Sequence, residues 1–364
     1  MMRSDQVEHG ERVFGVTTRR ATITDVAALA GVSIATASKA LNGRVDVRAA
    51  TRQLVLNAAA QLSFQPNALA QDLLSGQTRT VGLLTSDMVG RFGIPVLLGA
   101  ENAFGTGEMA VLLCDARGDA IREQHYVRTL LSRRVDGLIV VGESTNPRPS
   151  ITKDLPVPVV YAYGPSEDPE DVSFVPDDMG GAHLAVSHLI ATGRSRIAHV
   201  TGPSDYKAAT DRAEGVRQAL AEAGLPQVGE TLFGSWSQRW GRLAAEMLLM
   251  AEPKIDAVFC GSDQAAAGFI EAARERGRRV PDDIAVVGYD NWEVLSEQTR
   301  PTLTTIDPDL EHLGHTAAQH LFAAIEGRAT PGIHSLPCRL VIRDSTATPP
   351  RNLRENPADR QWVP

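Results

Sequence analysis

The stretch Thr22-Ile-Thr-Asp-Val-Ala-Ala-Leu-Ala-Gly-Val-Ser-Ile-Ala-Thr-Ala-Ser-Lys-Ala-Leu-Asn42 decides how the chain is read. Thr22 followed three residues later by Asp25 is a capping box, the reciprocal pairing that satisfies orphan amides at a helix start. Ile23, Val26, Ala27 and Ala30 then recur at helical spacing, and Gly31 supplies the left-handed stop. Ser33 can cap a second helix carrying Ala37, Ala40 and Leu41, and Asn42-Gly43 reads as a turn. A third helix is predicted from Ala49 to Leu62, with Leu54, Val55, Ala58, Ala59 and Leu62 on its core face; Pro66 closes the module. Two short helices joined by a Gly-containing turn are the pattern that lays a second, recognition helix in the major groove of DNA. The residue types agree. Small side chains at Ala35, Thr36 and Ser38 permit close approach, Ser33, Thr36, Ser38 and Asn42 can donate to phosphates, and Lys39 can reach guanine.

Charge is distributed to match. The chain of 364 residues carries a net charge of −8, which for the whole molecule argues against a polyanionic partner. Residues 19–80, however, hold seven Lys/Arg against three Asp, whereas residues 81–364 hold 27 Lys/Arg against 38 Asp/Glu. A basic module gains free energy by releasing counterions from a phosphate backbone, and an acidic body is kept off it.

The rest of the sequence divides around this module. Residues 1–20 lack periodicity and are expected to be a disordered tail, as is the Pro- and Arg-rich segment 346–364. The helix-turn-helix is assigned to 21–65 and a linker to 66–79, in which residues 67–74 can make two helical turns that are too few to be stable alone. From Val81 the rhythm changes to short apolar runs: Val81–Leu84, Val111–Cys114, Gly137–Val141, Val157–Tyr161, Ile197–Val200, Ala257–Cys260 and Ile284–Val287. Helix-patterned stretches at 181–191, 212–223, 241–250 and 264–276 separate most of the later ones. Alternation of this kind predicts doubly wound parallel sheets, and residues 80–345 are enough for two α/β lobes. Lobe 1 is expected at about 80–175 and 308–330, and lobe 2 at about 176–305 and 331–345. Ligands of such sheets bind at the carboxyl ends of strands. Those ends include Ser86, Ser262-Asp263 and Asp290-Asn291.

Other chemistries find little support. Gly105-Thr-Gly-Glu-Met-Ala110 fits a dinucleotide fingerprint formally, but a helix precedes it and a strand follows, the reverse of a phosphate cradle. His312 and His315 lack clear further metal ligands, the three cysteines have neither disulfide nor zinc spacing, and Cys114 and Cys260 read as small buried hydrophobes. No nucleophile elbow, P-loop or triad spacing is present, which counts against an enzyme with an accessory DNA-binding domain. The basic module and the lack of a signal-peptide pattern count against a transporter's solute-binding protein. No cofactor, no metal and no membrane partner are expected, and the predicted location is the cytoplasm.

The sequence resembles the lactose/galactose-repressor (LacI/GalR) family over nearly all of residues 21–345. The resemblance rests on the segment quoted above, on Thr51-Arg52, on Pro66-Asn67-Ala68-Leu69-Ala70 and on Val81-Gly-Leu-Leu. It continues through Arg134-Val-Asp-Gly-Leu-Ile139, Gly180-Gly181 with His188-Leu189, Arg196-Ile197-Ala198, and Arg212 with Gly215. It ends with Pro281-Asp-Asp-Ile-Ala-Val-Val-Gly-Tyr-Asp290, Leu303-Thr-Thr305 and Leu313-Gly314. It implies a homodimeric repressor on a near-palindromic double-stranded operator. Its sensor would fold like a periplasmic sugar-binding protein, with three chain crossings between lobes and a small-molecule effector, a sugar, in the cleft. By position, Ile34, Ala35 and Lys39 match residues that choose operator bases. Thr22 and Asn67 fall in the DNA-contacting segments, and Leu73 matches the hinge leucine that wedges into the minor groove. Arg212 and Asp290 match the effector-binding pair, Asp178 a further ligand position, and Trp236 a ring that packs on a sugar face. Departures are Arg48 in place of a small helix cap, Phe64 in place of Tyr, and Asp178 and Ser262 in place of Asn; the stretch Gly90–Gly107 departs most.

Overall fold

The computed structural model describes residues 21–41, 44, 46–64, 77–87, 91–105 and 109–346, in two units that divide between Thr78 and Arg79. Residues 1–20 and 347–364 of the expected tails, Asn42, and the hinge with Asn67 and Leu73 lie outside the described residues, while Thr346, placed in the tail, is buried.

The first unit holds α1 (Ile23–Ala30), α2 (Ile34–Leu41) and α3 (Ala49–Gln61). The capping box forms. The Thr22 amide donates to Asp25 Oδ2 at 2.8 Å while Thr22 Oγ1 accepts from the Asp25 amide at 3.4 Å. Gly31 ends α1 at φ 67°, and Ser33 Oγ accepts from the Thr36 amide at 3.1 Å at the start of α2. Arg48 precedes α3 without any side-chain cap. Val26, Ala27, Ala37, Ala40, Val47, Val55, Ala58 and Ala59 form the core. One expectation fails: Leu54 is 58% exposed. The stripe at 55, 58, 59 and 62 already fills the inward arc of α3, and residue 54 sits about 100° away from 55 around the axis.

The second unit contains two six-stranded sheets. The first has the order β11-β5-β4-β3-β1-β2 and the second β12-β10-β9-β8-β6-β7. Sheet 1 comprises β1 (Thr80–Thr85), β2 (Ala110–Asp115), β3 (Gly137–Val141), β4 (Val159–Ala162), β5 (Val172–Pro176) and β11 (Gly332–Leu336), all parallel. Sheet 2 comprises β6 (Ile197–Thr201), β7 (Leu232–Phe233), β8 (Ala257–Cys260), β9 (Ala285–Tyr289), β10 (Thr304–Asp307) and β12 (Arg339–Val341). Only β12 runs antiparallel there. Lobe 1 adds α4 (Gly93–Phe104), α5 (Ala120–Ser132) and α11 (Leu310–Ile325). Lobe 2 adds α6 (Asp178–Ala191), α7 (Lys207–Glu222), α8 (Gln238–Ala251), α9 (Asp263–Glu275) and the single turn α10 (Glu293–Ser296). No helix among the described residues is long and apolar enough to cross a membrane.

The seven expected runs coincide with strands, and five more appear. The added ones include the edge strands β11 and β12, which are half-exposed, and β10, Thr-Thr-Ile-Asp, which is largely polar. The chain crosses between lobes after β5, after β10 and after β11. The third crossing therefore follows Leu336, because β11 pairs with β5 from Gly332↔Val172 to Leu336↔Pro176. This corrects the expected placement of 331–336 in lobe 2. Four helices also start earlier than the apolar pattern implied, at Asp178, Lys207, Gln238 and Asp263. Their first turns are polar, and three are capped by Asp177, Ser237 and Ser262. Cys260 and Cys338 are buried and Cys114 is half-buried; all three are free thiols.

Candidate operator-reading face and effector cleft

The outer face of α2 carries the expected DNA-facing side chains. Ser33 and Ala35 are exposed, Ile34 is 49% exposed, and Thr36 and Ser38 are half-buried. Two details differ from expectation. The Thr22 hydroxyl donates to Asp25 Oδ2 at 2.7 Å, so it is spent on the cap and not held out to a phosphate. Lys39 is exposed, but its Nζ lies 2.6 Å from Asp46 Oδ2. That ammonium beside it holds the Asp46 carboxyl below its ordinary pKa. Asp46 had no signal in the helical pattern, because it lies in the turn between α2 and α3.

The residues expected to bind an effector lie near the carboxyl ends of strands, where the lobes meet. Arg212, from the middle of α7, is buried. Its Nε and Nη2 reach Asp178 Oδ1 at 2.9 and 2.8 Å, and its Nη1 donates to the Gly261 carbonyl. The guanidinium carbon stands 3.5 Å from the centre of the Tyr289 ring and 5.5 Å from that of Trp236. Burial works against the Arg212 charge, but Asp178 leads the neighbours that outweigh it and hold the group protonated. Trp236 is half-buried and lies flat over Gly202, where any Cβ would run into its ring; Tyr206 meets it edge-on at 6.0 Å.

Asp290, expected with Arg212 as an effector ligand, has a charged partner of its own. Its Oδ2 stands 3.1 Å from Nη1 of Arg91. Arg91 lies in Gly90–Gly107, the stretch that departs most from the family pattern. An arginine followed by an aromatic residue, just after the carboxyl end of β1, was the available signal. Asp87 Oδ2 accepts the Phe92 amide, next to Arg91 in the chain, at 3.1 Å. The Arg91 guanidinium lies over Phe92 and Trp292, 5.1 and 5.4 Å from their ring centres. Arg91 Nη1 and Asp290 Oδ2 are both buried, and neither has an oriented hydrogen bond among the described residues. They attract as charges while each keeps directional capacity unspent. Burial raises the pKa of the Asp290 carboxyl, with Arg91 and then Arg212 pulling it down. A cavity of about 450 Å³ opens beside them, lined by Arg91, Phe92, Asp290, Asn291 and Trp292 among others.

Other expected ligand residues shape the cleft from behind. Asp263 is fully buried and both its oxygens are used, Oδ1 by Thr305 Oγ1 at 2.6 Å and Oδ2 by the Trp292 amide at 2.7 Å. Ser262 is also fully buried and caps α9 through the Ala265 amide at 3.2 Å. Both are therefore positioning residues, which corrects their assignment as ligand contacts. Asn291 lines the cavity, but its amide is tied to Asp307 at 3.3 Å and Arg343 at 2.9 Å. Ser86 is half-buried at the end of β1. Among the described residues no group of three or more His, Cys, Asp or Glu is placed to hold a metal ion.

A helix-turn-helix unit joined to a two-lobed α/β unit with a polar, aromatic-lined cleft defines the class of ligand-responsive DNA-binding regulators. A model of the lacI family of bacterial regulatory proteins matches residues 22–67, and a periplasmic binding protein-like domain matches residues 186–346. The HTH-type transcriptional repressor PurR of Aliivibrio salmonicida is 34% identical over 312 residues, 85% of this chain and 93% of the relative. Among solved structures, a complex of the transcriptional regulator CelR with cellobiose is similar at 31% identity and a TM-score of 0.60; the match covers 90% of this chain and 100% of that one. The lac repressor dimer bound to operator and the anti-inducer ONPF is similar at 30% identity and a TM-score of 0.72, covering 91% and 100%. The chain belongs to the lacI family of bacterial regulatory proteins. It is a transcriptional regulator with an effector-binding domain, and not an enzyme.

Proposed function

We propose that this regulator is a cytoplasmic homodimeric repressor that binds a near-palindromic operator and is controlled by a sugar held between the lobes of its sensor. The observation that carries the sugar reading is the pair of buried, unspent polar atoms on Arg91 and Asp290 beside aromatic rings. A donor on one side, an acceptor on the other and a ring to cover a carbon face are what a neutral polyol requires. Cellobiose in the similar CelR complex favours the same class.

Ligand shifts the lobe equilibrium only by its differential affinity for the two arrangements, and its coupling to DNA is reciprocal. Calorimetry with a sugar panel that includes cellobiose, followed by operator binding with each hit at one salt concentration, tests this. Asp290→Ala is expected to abolish the change in operator affinity that the sugar produces, whatever its operator affinity without sugar. A variant that still responds would move the cleft elsewhere. No binding by the wild type at millimolar sugar would end the sugar reading.

On the DNA side, Ile34, Ala35 and Lys39 read bases; Ser33, Thr36, Ser38 and Asn42 position the helix; Asn67 and Leu73 act in the hinge. Lys39→Ala is expected to lower affinity for the selected operator by about 1–3 kcal/mol and to relax preference at one base pair. Asp46→Asn, which frees the Lys39 ammonium, should raise affinity with the preference kept. Fluorescence anisotropy on an operator drawn from a randomised library measures both. Unchanged selection by Lys39→Ala would place specificity elsewhere.

A further inference from the structure

Two contacts, each made by a side chain of lobe 1, bridge to lobe 2 of the sensor. The first is Arg91, from lobe 1, against Asp290, from lobe 2, at 3.1 Å. Their side chains are only 15% and 5% exposed, so the pair sits in a medium where charge attraction is poorly screened. Both partners are held in advance. Phe92, next to Arg91, is held through its amide by Asp87, and the Arg91 guanidinium lies over the Phe92 and Trp292 rings. Asp290 has φ 111°, a conformation L-residues rarely adopt, and its amide is anchored to the Ile306 carbonyl at 2.8 Å. Asp263 fixes the following loop through the Trp292 amide. A carboxylate locked in that geometry is aimed across the cleft at small entropic cost.

The second bridge is Asn146, in the segment after β3 of lobe 1. Its Oδ1 accepts the Lys207 amide at 2.6 Å and its Nδ2 donates to the Asp205 carbonyl at 3.0 Å. Helix α7 has Tyr206 at its own cap position and no side-chain cap from its own lobe. The missing cap of the helix that carries Arg212 is thus supplied by the opposite lobe.

We propose that Arg91 is a tethered ligand: its guanidinium engages Asp290 across the cleft and closes the lobes by itself, with Asn146 as the accompanying clasp. The regulator then has a closed population before any effector arrives, and that population sets its basal operator affinity. The site is the one assigned above to the effector, so the inference rests on that reading for its regulatory consequence, while closure itself does not need the effector to be a sugar.

The test is closure of the full-length protein without sugar or DNA, by small-angle scattering and amide exchange. Arg91→Ala is expected to enlarge the radius of gyration. It should also speed exchange at residues 207–209 and 290–292 by roughly tenfold, the scale of one lost, poorly screened ion pair. Asp290→Asn, which keeps the side-chain shape, should do the same, and the double variant should open no further, because both remove one contact. Asn146→Ala should open the lobes independently and additively. The proposal is overturned if Arg91→Ala scatters and exchanges like the wild type, or if the Arg91 and Asp290 effects simply add. Failure of the sugar reading shows differently, as absence of heat with every sugar in the wild type while these closure differences persist.

Discussion

Asp178→Ala is expected to destabilise the sensor unit by about 3–5 kcal/mol, because it strands a buried charge. Arg212 and Asp178 have side chains only 4% and 3% exposed, and the ion pair is the guanidinium's sole charged contact at bonding distance among the described residues. The Gly261 carbonyl and the face of Tyr289 remain after the substitution, but neither neutralises the charge. Replacing both partners together, Asp178→Leu with Arg212→Met, should recover much of the loss, since a well-packed apolar pair of similar volume avoids both desolvation costs. Urea denaturation followed by near-ultraviolet circular dichroism measures the stabilities, and a double-mutant cycle isolates the pair. A loss under 1 kcal/mol for Asp178→Ala would mean that water reaches Arg212. The apolar double variant should bind no sugar even if it is stable, which separates the structural role of Arg212 from its role in the cleft.

The second large effect is a loss of stability in mild acid that runs through one histidine. His199 on β6 is fully buried, its ring stacked 5.1 Å from that of Phe259. Its Nδ1 lies 3.3 Å from Thr231 Oγ1, and its Nε2 has no partner among the described residues. Burial, aided by the nearby Arg212 charge, depresses its pKa from 6.5 to about 3. The unfolded chain therefore takes up this proton before the folded one does. The stabilisation is complete above about pH 6.5 and is lost as pH falls toward 3, at about 1.4 kcal/mol per unit. Between pH 6.5 and 5, before most carboxylates titrate, about 2 kcal/mol should disappear. His199→Phe, which keeps a ring on Phe259, should flatten that limb. His188 and His320, also depressed by burial, leave a smaller residual slope. Denaturation midpoints at pH 7, 6 and 5 decide the matter: an equally steep fall in His199→Phe would put the acid sensitivity in other groups.

Much of the architecture was readable before any coordinates because it is local. The capping box at Thr22 and Asp25, the left-handed Gly31 and the 3.6-residue stripe of α3 depend on neighbours within one or two turns. Seven strands are equally plain, since a parallel strand buried on both faces is a continuous apolar run. Strands of mixed sequence are not: the interior β5 and β10 carry polar residues, and the edge strands β11 and β12 are half-exposed. Leu54 shows the limit even for a helix: period alone does not say where an apolar stripe stops.

The cleft divides along the same line. Arg212, Asp290 and Trp236 are expected there by position, but their neighbours in space are not legible from it. Asp178 and Arg212 are 34 residues apart in sequence, and Arg91 and Asp290 are 199 apart. Such pairings are set by which strand ends a sheet order brings together, and that order is a property of the folded topology. The sequence by itself determined that a basic helix-turn-helix precedes a parallel α/β sensor, because caps, periodicity and apolar runs are short-range physics. Only the tertiary structure decided that Asp263 and Ser262 brace the cleft from behind, that Asp178 is the partner of Arg212, and that Arg91 reaches Asp290. Burial and charge pairing are energies of proximity, and proximity between distant residues exists only once the lobes have formed.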